Sequence, residues 1–253
     1  MSFMRAWPAS FADMVSGKFE EGWHARYERW ATTHEAEHLI AGWSEKGLSR
    51  RLALVLRTLS TAGLQPGSTI LDLGAGPGTY TRAVTALGHR CLGLDYSRTV
   101  LGIAKTKHPQ GDYIQGEAYH LPLRSMIVDG VICVGVLQSL QSIHEALQEA
   151  HRVLKPGGCL VLEGLNSLFW LHGLRSWKES LRHLDKRMSY YDPFVIMKYL
   201  TAIGFKQPNL NWLVMPEQFQ GQLDTPSRSR FSLVPRLLGY SFLIFARKQA
   251  GHS

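Results

Sequence analysis

Cysteine is scarce in this chain, with three among 253 residues. Cys91, Cys133 and Cys159 each fall in a predicted strand and share no metal-ligand spacing. That excludes a disulfide framework and a thiolate metal site, and leaves packed thiols of the kind a reducing cytoplasm permits. Long apolar runs are also missing. The best candidate, Phe231 to Phe245, is broken by Pro235 and Arg236, and the first residues lack a continuous apolar stretch of the signal-peptide type. We therefore expect a soluble protein with neither a bilayer span nor a secretory leader. Internal repeats and low-complexity segments are absent, and Leu64-Gln65-Pro66-Gly67-Ser68 reads as a turn rather than a linker. Acidic residues are few: 20 against 28 lysines and arginines, for a net charge of +8. Such an excess raises nucleic acid or another anionic partner as a candidate. With 45% hydrophobic and 19% charged residues, the chain has enough apolar mass for a substantial core in one domain.

What is present concentrates in one stretch. Ile70, Leu71 and Leu73 supply the short apolar run of a strand buried on both faces, and it leads into Gly74-Ala75-Gly76-Pro77-Gly78. Glycines at positions 74, 76 and 78 permit positive φ and a close approach of ligand to backbone. Thr79 to Leu87 then reads as a helix whose N-terminal N–H groups face the loop, an arrangement that favours a negatively charged or carboxylate-bearing ligand. Arg90 to Asp95 reads as a second buried strand ending in a carboxylate, at the place where nucleotide-binding α/β folds chelate ribose hydroxyls. A dinucleotide fingerprint requires a third glycine at position 79, where Thr79 stands. This disfavours NAD and leaves another adenosine ligand.

Further on, Gly116-Glu117-Ala118-Tyr119-His120 precedes the strand-like Val128 to Val134, and Val153-Leu154-Lys155-Pro156-Gly157-Gly158 leads into the strand-like Cys159 to Glu163. Four separated motifs in this order resemble the class I S-adenosylmethionine-dependent methyltransferases, over Ser49 to Asn166. The small-molecule branch that includes the ubiquinone and menaquinone biosynthesis methyltransferases is the most similar. The resemblance implies an α/β, Rossmann-like fold: a seven-stranded, mostly parallel sheet with helices on both faces, an N-terminal helical extension and a helical lid insertion after the fifth strand. It implies one domain over 1–253, made of N-terminal helices (1–62), a cofactor-binding core (63–166), a lid insertion (167–192) and a C-terminal helix and strands (193–253). It also implies S-adenosyl-L-methionine as cofactor. Asp72, Gly74, Ala75, Gly76 and Gly78 would hold its methionyl end, Asp95 its ribose, and Tyr96 would pack beside the adenine. Glu117-Ala118 stands where the family usually has Asp-Ala at the adenine amino group. Val134 and Gly135 would turn a backbone carbonyl toward the methionyl ammonium.

Ahead of the core, Phe19 to Trp43 carries Trp23, Tyr27 and Trp30 at helical spacing, and Leu48 to Ala62 is amphipathic through Leu52, Val55, Leu56 and Leu59. Tyr27-Glu28-Arg29-Trp30-Ala31 is similar to a Tyr-Asp-x-x-Ala element whose aromatics close over the cofactor in related enzymes. The same aromatics would equally bury one face of the helix, and Tyr27 is the cofactor candidate among them. After the fifth strand, Leu168 to Tyr191 reads as an insertion. It has an apolar stripe of Leu171, Leu174, Leu181, Leu184 and Met188, and a basic face of Arg175, Lys178, Arg182 and Lys186. Such a helix is a lid with a solvated face, or one that attracts an anionic or lipid-anchored substrate or the membrane surface carrying it. Pro193 to Ile203 is read as a helix, Asn209 to Val214 as a strand, and Tyr240 to Arg247 as a last, antiparallel strand toward the sheet edge.

The acceptor is expected to be a small-molecule or lipid-like substrate. Exocyclic amine methylation of bases calls for an Asn/Asp-Pro-Pro-aromatic motif after the fourth strand, where Val134-Gly135-Val136-Leu137-Gln138-Ser139 stands instead. Cytosine C5 chemistry needs a Pro-Cys nucleophile, and Cys133 lies within the strand. An RNA (tRNA or rRNA) methyltransferase remains the alternative, carried by the basic charge. A weak nucleophile would need a base within reach, for which His120, His144 and above all His172 are the candidates; Gln138 can orient an acceptor without removing its proton. No metal cluster is apparent in the sequence.

Overall fold

The computed structural model describes residues 18–169, 188–214 and 237–250. Most of the predicted insertion, with His172, Arg175, Lys178, Arg182 and Lys186, lies outside them. The predicted Phe19 to Trp43 segment is two helices, α1 (Lys18–Thr33) and α2 (Glu37–Ile40), followed by α3 (Glu45–Ser60). Ser44 starts α3 by accepting the Gly47 N–H on its hydroxyl at 3.1 Å.

Strands and helices then alternate as β1 (Thr69–Leu73), α4 (Thr79–Ala86), β2 (Arg90–Asp95), α5 (Arg98–Lys107) and β3 (Asp112–Gln115). They continue with β4 (Val128–Cys133), a 3₁₀ turn (Leu137–Ser139), α6 (Ile143–Val153), β5 (Leu154–Leu165), α7 (Pro193–Ala202), β6 (Phe205–Val214) and β7 (Gly239–Lys248). Seven strands form one sheet in the order β3-β2-β1-β4-β5-β7-β6, parallel except for β7, which runs antiparallel to both β5 and β6. The last strand was expected toward the edge. It slots instead between β5 and β6, pairing Leu160 with Ala246 on one side and Leu210 with Ile244 on the other, and β6 becomes the edge.

Alternation along β1 shows how the sheet is covered twice. Ile70 packs with Val55 and Leu59 of α3 and Val84 of α4 on one face. Leu71 and Leu73 face the other way, with Ile143 and Leu147 of α6 and Ile196 and Leu200 of α7. On α6, Ile143, Ala146, Leu147, Ala150 and Val153 are the buried positions, one helical stripe. Cys91, Cys133 and Cys159 are buried free thiols within β2, β4 and β5. The chain reverses direction across the sheet between β1 and β4, so the turns after these two strands diverge and leave a crevice at their carboxyl ends. None of the described helices is long and apolar enough to cross a membrane.

Candidate functional site

That crevice opens into a cavity enclosing about 1000 Å³, open solvent at its mouth included. Its floor is the turn after β1. Gly74, Gly76 and Gly78 hold φ of +78°, +53° and +84°, the left-handed region that side chains resist. Two of these glycines are required by crowding as well. A Cβ on Gly74 would stand 2.2 Å from Val136 Cγ2, and one on Gly78 would stand 2.6 Å from the Tyr113 hydroxyl. Gly76 differs: a Cβ there meets nothing within 4 Å. Its backbone is bare toward the cavity.

Asp95 closes β2 beside this turn and is 9% exposed. Its Oδ2 accepts the Gly76 N–H at 2.9 Å and its Oδ1 the Ser97 N–H at 3.0 Å, so one carboxylate fixes the glycine turn and starts α5. Burial holds its pKa above the ordinary carboxylate value, against the pull of those two amides, and nearby Glu117 and Glu28 push the same way. Asp72, expected to touch the methionyl end, sits beneath the floor rather than on it. It is 1% exposed, accepts the Thr81 hydroxyl at 2.7 Å, and is pushed up to about 7 by burial. Its visible work is to tie β1 to α4.

The structure brings Tyr27, Ala75, Tyr96, Glu117, Ala118, Val134 and Gly135 to the cavity wall with Gly74, Gly76 and Asp95. Gly78 lies behind it. Helix α1 roofs the cavity: the His24 ring stacks on Tyr96 with centroids 3.8 Å apart, Glu20 accepts from the Tyr119 hydroxyl, and Glu28 accepts from Ser97. One face of Tyr96 is therefore taken by His24. The amino end of α4, expected to attract a negative ligand group, has its own carboxylate. Glu37 accepts from Thr79 Oγ1 at 2.5 Å and pairs with Arg82 at 3.1 Å. Although burial opposes it, the hydrogen bonds from Arg82 and Thr79 keep Glu37 below its usual pKa and ionised. Among the described residues, the cavity wall carries Glu20, Asp95 and Glu117 and neither lysine nor arginine. An acid-lined wall repels a pyrophosphate and suits a ligand with positive charge and hydroxyls to donate.

A second cavity shares Trp23, Tyr27, Ala41 and Trp43 with the first. Its described lining contains Arg50 and Arg51 and no carboxylate. Arg51 is 3% exposed and pairs with Glu163, 1% exposed, at 3.0 Å, while its guanidinium lies 4.3 Å from the Trp43 ring centroid. Glu163 also accepts the Ser241 hydroxyl and, on Oε2, the Gly135 N–H at 3.0 Å. The Gly135 carbonyl accepts from Gln138 Nε2 at 2.7 Å, which already uses one of the lone pairs expected to face a methionyl ammonium. Tyr27, in contact with the Gln138 amide, is raised well above the ordinary phenol value, first by burial and then by Asp95.

His120 is exposed, and His144 packs edge-on against Tyr199 at 4.4 Å; neither is among the described residues lining these two cavities. His172 lies outside the described residues. Among the described residues, the histidine in the wall of the first cavity is His24, which sequence reasoning did not select. Arg51 and Glu163 were missed as well. Glu163 carried a signal: it is the one charge in the apolar run from Cys159 to Leu165.

Comparison with known proteins agrees with this geometry. A family model described as a methyltransferase domain matches residues 71–162. The chain is 31% identical over 137 residues to the biotin biosynthesis bifunctional protein BioHC of Cellvibrio japonicus, covering 54% of this chain and 27% of that protein. It is 35% identical over 104 residues to the demethylmenaquinone methyltransferase of Renibacterium salmoninarum, covering 41% and 44%. The chain thus spans less than half the length of these two relatives. Among solved structures, a chain from the complex between the Haloferax volcanii Trm112 methyltransferase activator and a methyltransferase superposes with a TM-score of 0.64 at 20% identity, over 88% of this chain and 97% of that one. This last likeness concerns the fold. These matches show that residues 71–162 are similar to a methyltransferase domain, in keeping with the sheet order, the bare glycine turn and the carboxylate closing β2.

Proposed function

We propose that this chain is an enzyme that transfers the methyl group of S-adenosylmethionine to a small-molecule or lipid-like acceptor. The observation that carries the reading is the pairing of an acid-lined, glycine-floored cavity with an aromatic, arginine-bearing one across Tyr27 and Trp43. When bound, S-adenosylmethionine supplies an electrophilic methyl: its S–CH₃ bond breaks as the bond to the acceptor forms, leaving S-adenosylhomocysteine, with the acceptor's proton passing to solvent.

The residues fit that ligand. Asp95 is placed to accept from ribose hydroxyls while anchoring the Gly76 amide, and Glu20 and Glu117 offer negative charge to a cation. Gly76 leaves backbone open where a side chain would project into free space. Asp72 would act through the loop it braces, and Gly78 through its fit against Tyr113. Tyr27 and Trp43 stand between the two cavities, where an in-line approach has to be shielded from water. Burial keeps the Tyr27 hydroxyl protonated, so it serves as a donor and not as a base. With His120 and His144 remote, this favours an acceptor that gives up its proton with little help. Three buried thiols suit a reducing cytoplasm.

Purified protein incubated with methyl-labelled S-adenosylmethionine and a cell extract, followed by mass spectrometry, tests the reading. Label is expected in a low-mass or organic-soluble product. Label in purified tRNA or rRNA that resists competition by metabolite extract would instead support a nucleic acid substrate.

A further inference from the structure

Glu163 sits buried in β5 and is not among the described residues lining either cavity, although the groups it binds line them. Its Oε1 accepts from Arg51 at 3.0 Å and from the Ser241 hydroxyl, and its Oε2 accepts the Gly135 N–H at 3.0 Å. A buried ion pair adds little to stability over well-packed apolar residues of similar volume. The bond on Oε2 is different in kind. It is directional, and it ends on the wall of the first cavity.

Gly135 holds φ at +73°, and a Cβ there would stand 2.5 Å from Trp43 Cζ2, so the position needs glycine and its permissive backbone has to be held from outside. Glu163 holds the N–H, and Gln138 holds the carbonyl. A trans peptide plane keeps N–H and C=O opposed, so a Gly135 N–H committed to Glu163 turns the Val134 carbonyl away from Glu163. The next residue, Val136, packs onto the glycine turn, its Cγ2 lying where a side chain on Gly74 would have to be. Val134, Gly135, Val136 and Gly74 all line the first cavity. We infer that Glu163 is a positioning residue for the cofactor: through its bond to Gly135 it sets the direction of the Val134 carbonyl and the seat of Val136 against Gly74. Arg51 and Ser241 keep the carboxylate in place for that bond. The inference rests on the first cavity being the S-adenosylmethionine site.

Calorimetric titration of two double variants of the full chain with S-adenosylhomocysteine tests it. Arg51→Met with Glu163→Gln and Arg51→Met with Glu163→Met both remove the buried charges. Only the glutamine can accept the Gly135 N–H, with its amide nitrogen turned to the Ser241 oxygen. The glutamine pair should bind within about threefold of the native chain and the methionine pair about tenfold more weakly than the glutamine pair, the scale of one hydrogen bond. A purely structural Glu163 would leave the two alike, so equal affinities overturn the inference, whether both are native-like or both are lost. Thermal unfolding of the same samples reports that each variant is folded at the temperature of the titration. Where the methionine pair does not fold, Glu163→Asp decides, because it keeps the buried charge and draws it back by one methylene: weakening by about tenfold supports the role, and native affinity overturns it. If the native chain does not bind S-adenosylhomocysteine, the cofactor reading fails and this role with it; if it binds and the two pairs are not told apart, only the role of Glu163 fails.

Discussion

The first cavity is floored by the glycine turn after β1, carries carboxylates from the end of β2, the segment after β3 and α1, and is roofed by α1. Aromatic side chains and two arginines wall the second, contributed by α1, α3, the turn after β4 and the strands beyond it. Main-chain recognition needs glycine at fixed places, and it stays the same whatever the acceptor is. Side-chain recognition can change with each substrate while the fold stays as it is. The seam between the two, Glu163 with Arg51, Ser241 and Gly135, holds both at once.

The seam should break with the largest effect. Arg51→Ala leaves Glu163 buried without its cation and should lower the unfolding free energy by about 3–5 kcal/mol in urea titrations. Arg51→Met combined with Glu163→Gln should recover most of that loss, because no buried charge remains. A single variant as stable as the native chain would show that the pair does not join the two regions.

Asp72 sharpens the contrast from the other side, since it supports the glycine turn from below. Its carboxyl titrates at about 7 in the folded chain and near the ordinary aspartate value when unfolded, so the folded state holds the extra proton between these limits. Stability from this group is therefore full at low pH and falls as pH rises through about 7, by up to about 4 kcal/mol. Asp72→Asn should remove that slope, gaining on the native protein between pH 5 and pH 8 in thermal unfolding followed across buffers. Parallel curves for the two proteins would mean that Asp72 is ionised in place.

The first region was legible because its demands are local. Left-handed turns at Gly74 and Gly76 and a carboxylate closing a buried strand leave a pattern within about twenty residues. Strands β1, β2 and β4 were likewise readable as short apolar runs. The second region was not, because Trp30, Trp43 and Tyr240 come from distant segments and look the same as core aromatics in sequence. Tyr27, expected at the cofactor through a local resemblance, lines the first cavity. Gln138 was visible as an orienting candidate, but its burial and its hold on Gly135 depend on how the turn after β4 folds. The place of β7 between β5 and β6 is also a matter of tertiary pairing, which the alternation of Tyr240 to Arg247 does not encode.

Calorimetric titration of the purified chain with S-adenosylmethionine, S-adenosylhomocysteine and NAD tests the assignment of the acid-lined cavity most directly. Both adenosyl ligands should bind while NAD does not, and Asp95→Ala should weaken them by about 1.5–3 kcal/mol, the range for hydrogen bonds to a charged group. Tight binding of NAD with no response to either adenosyl ligand would contradict it.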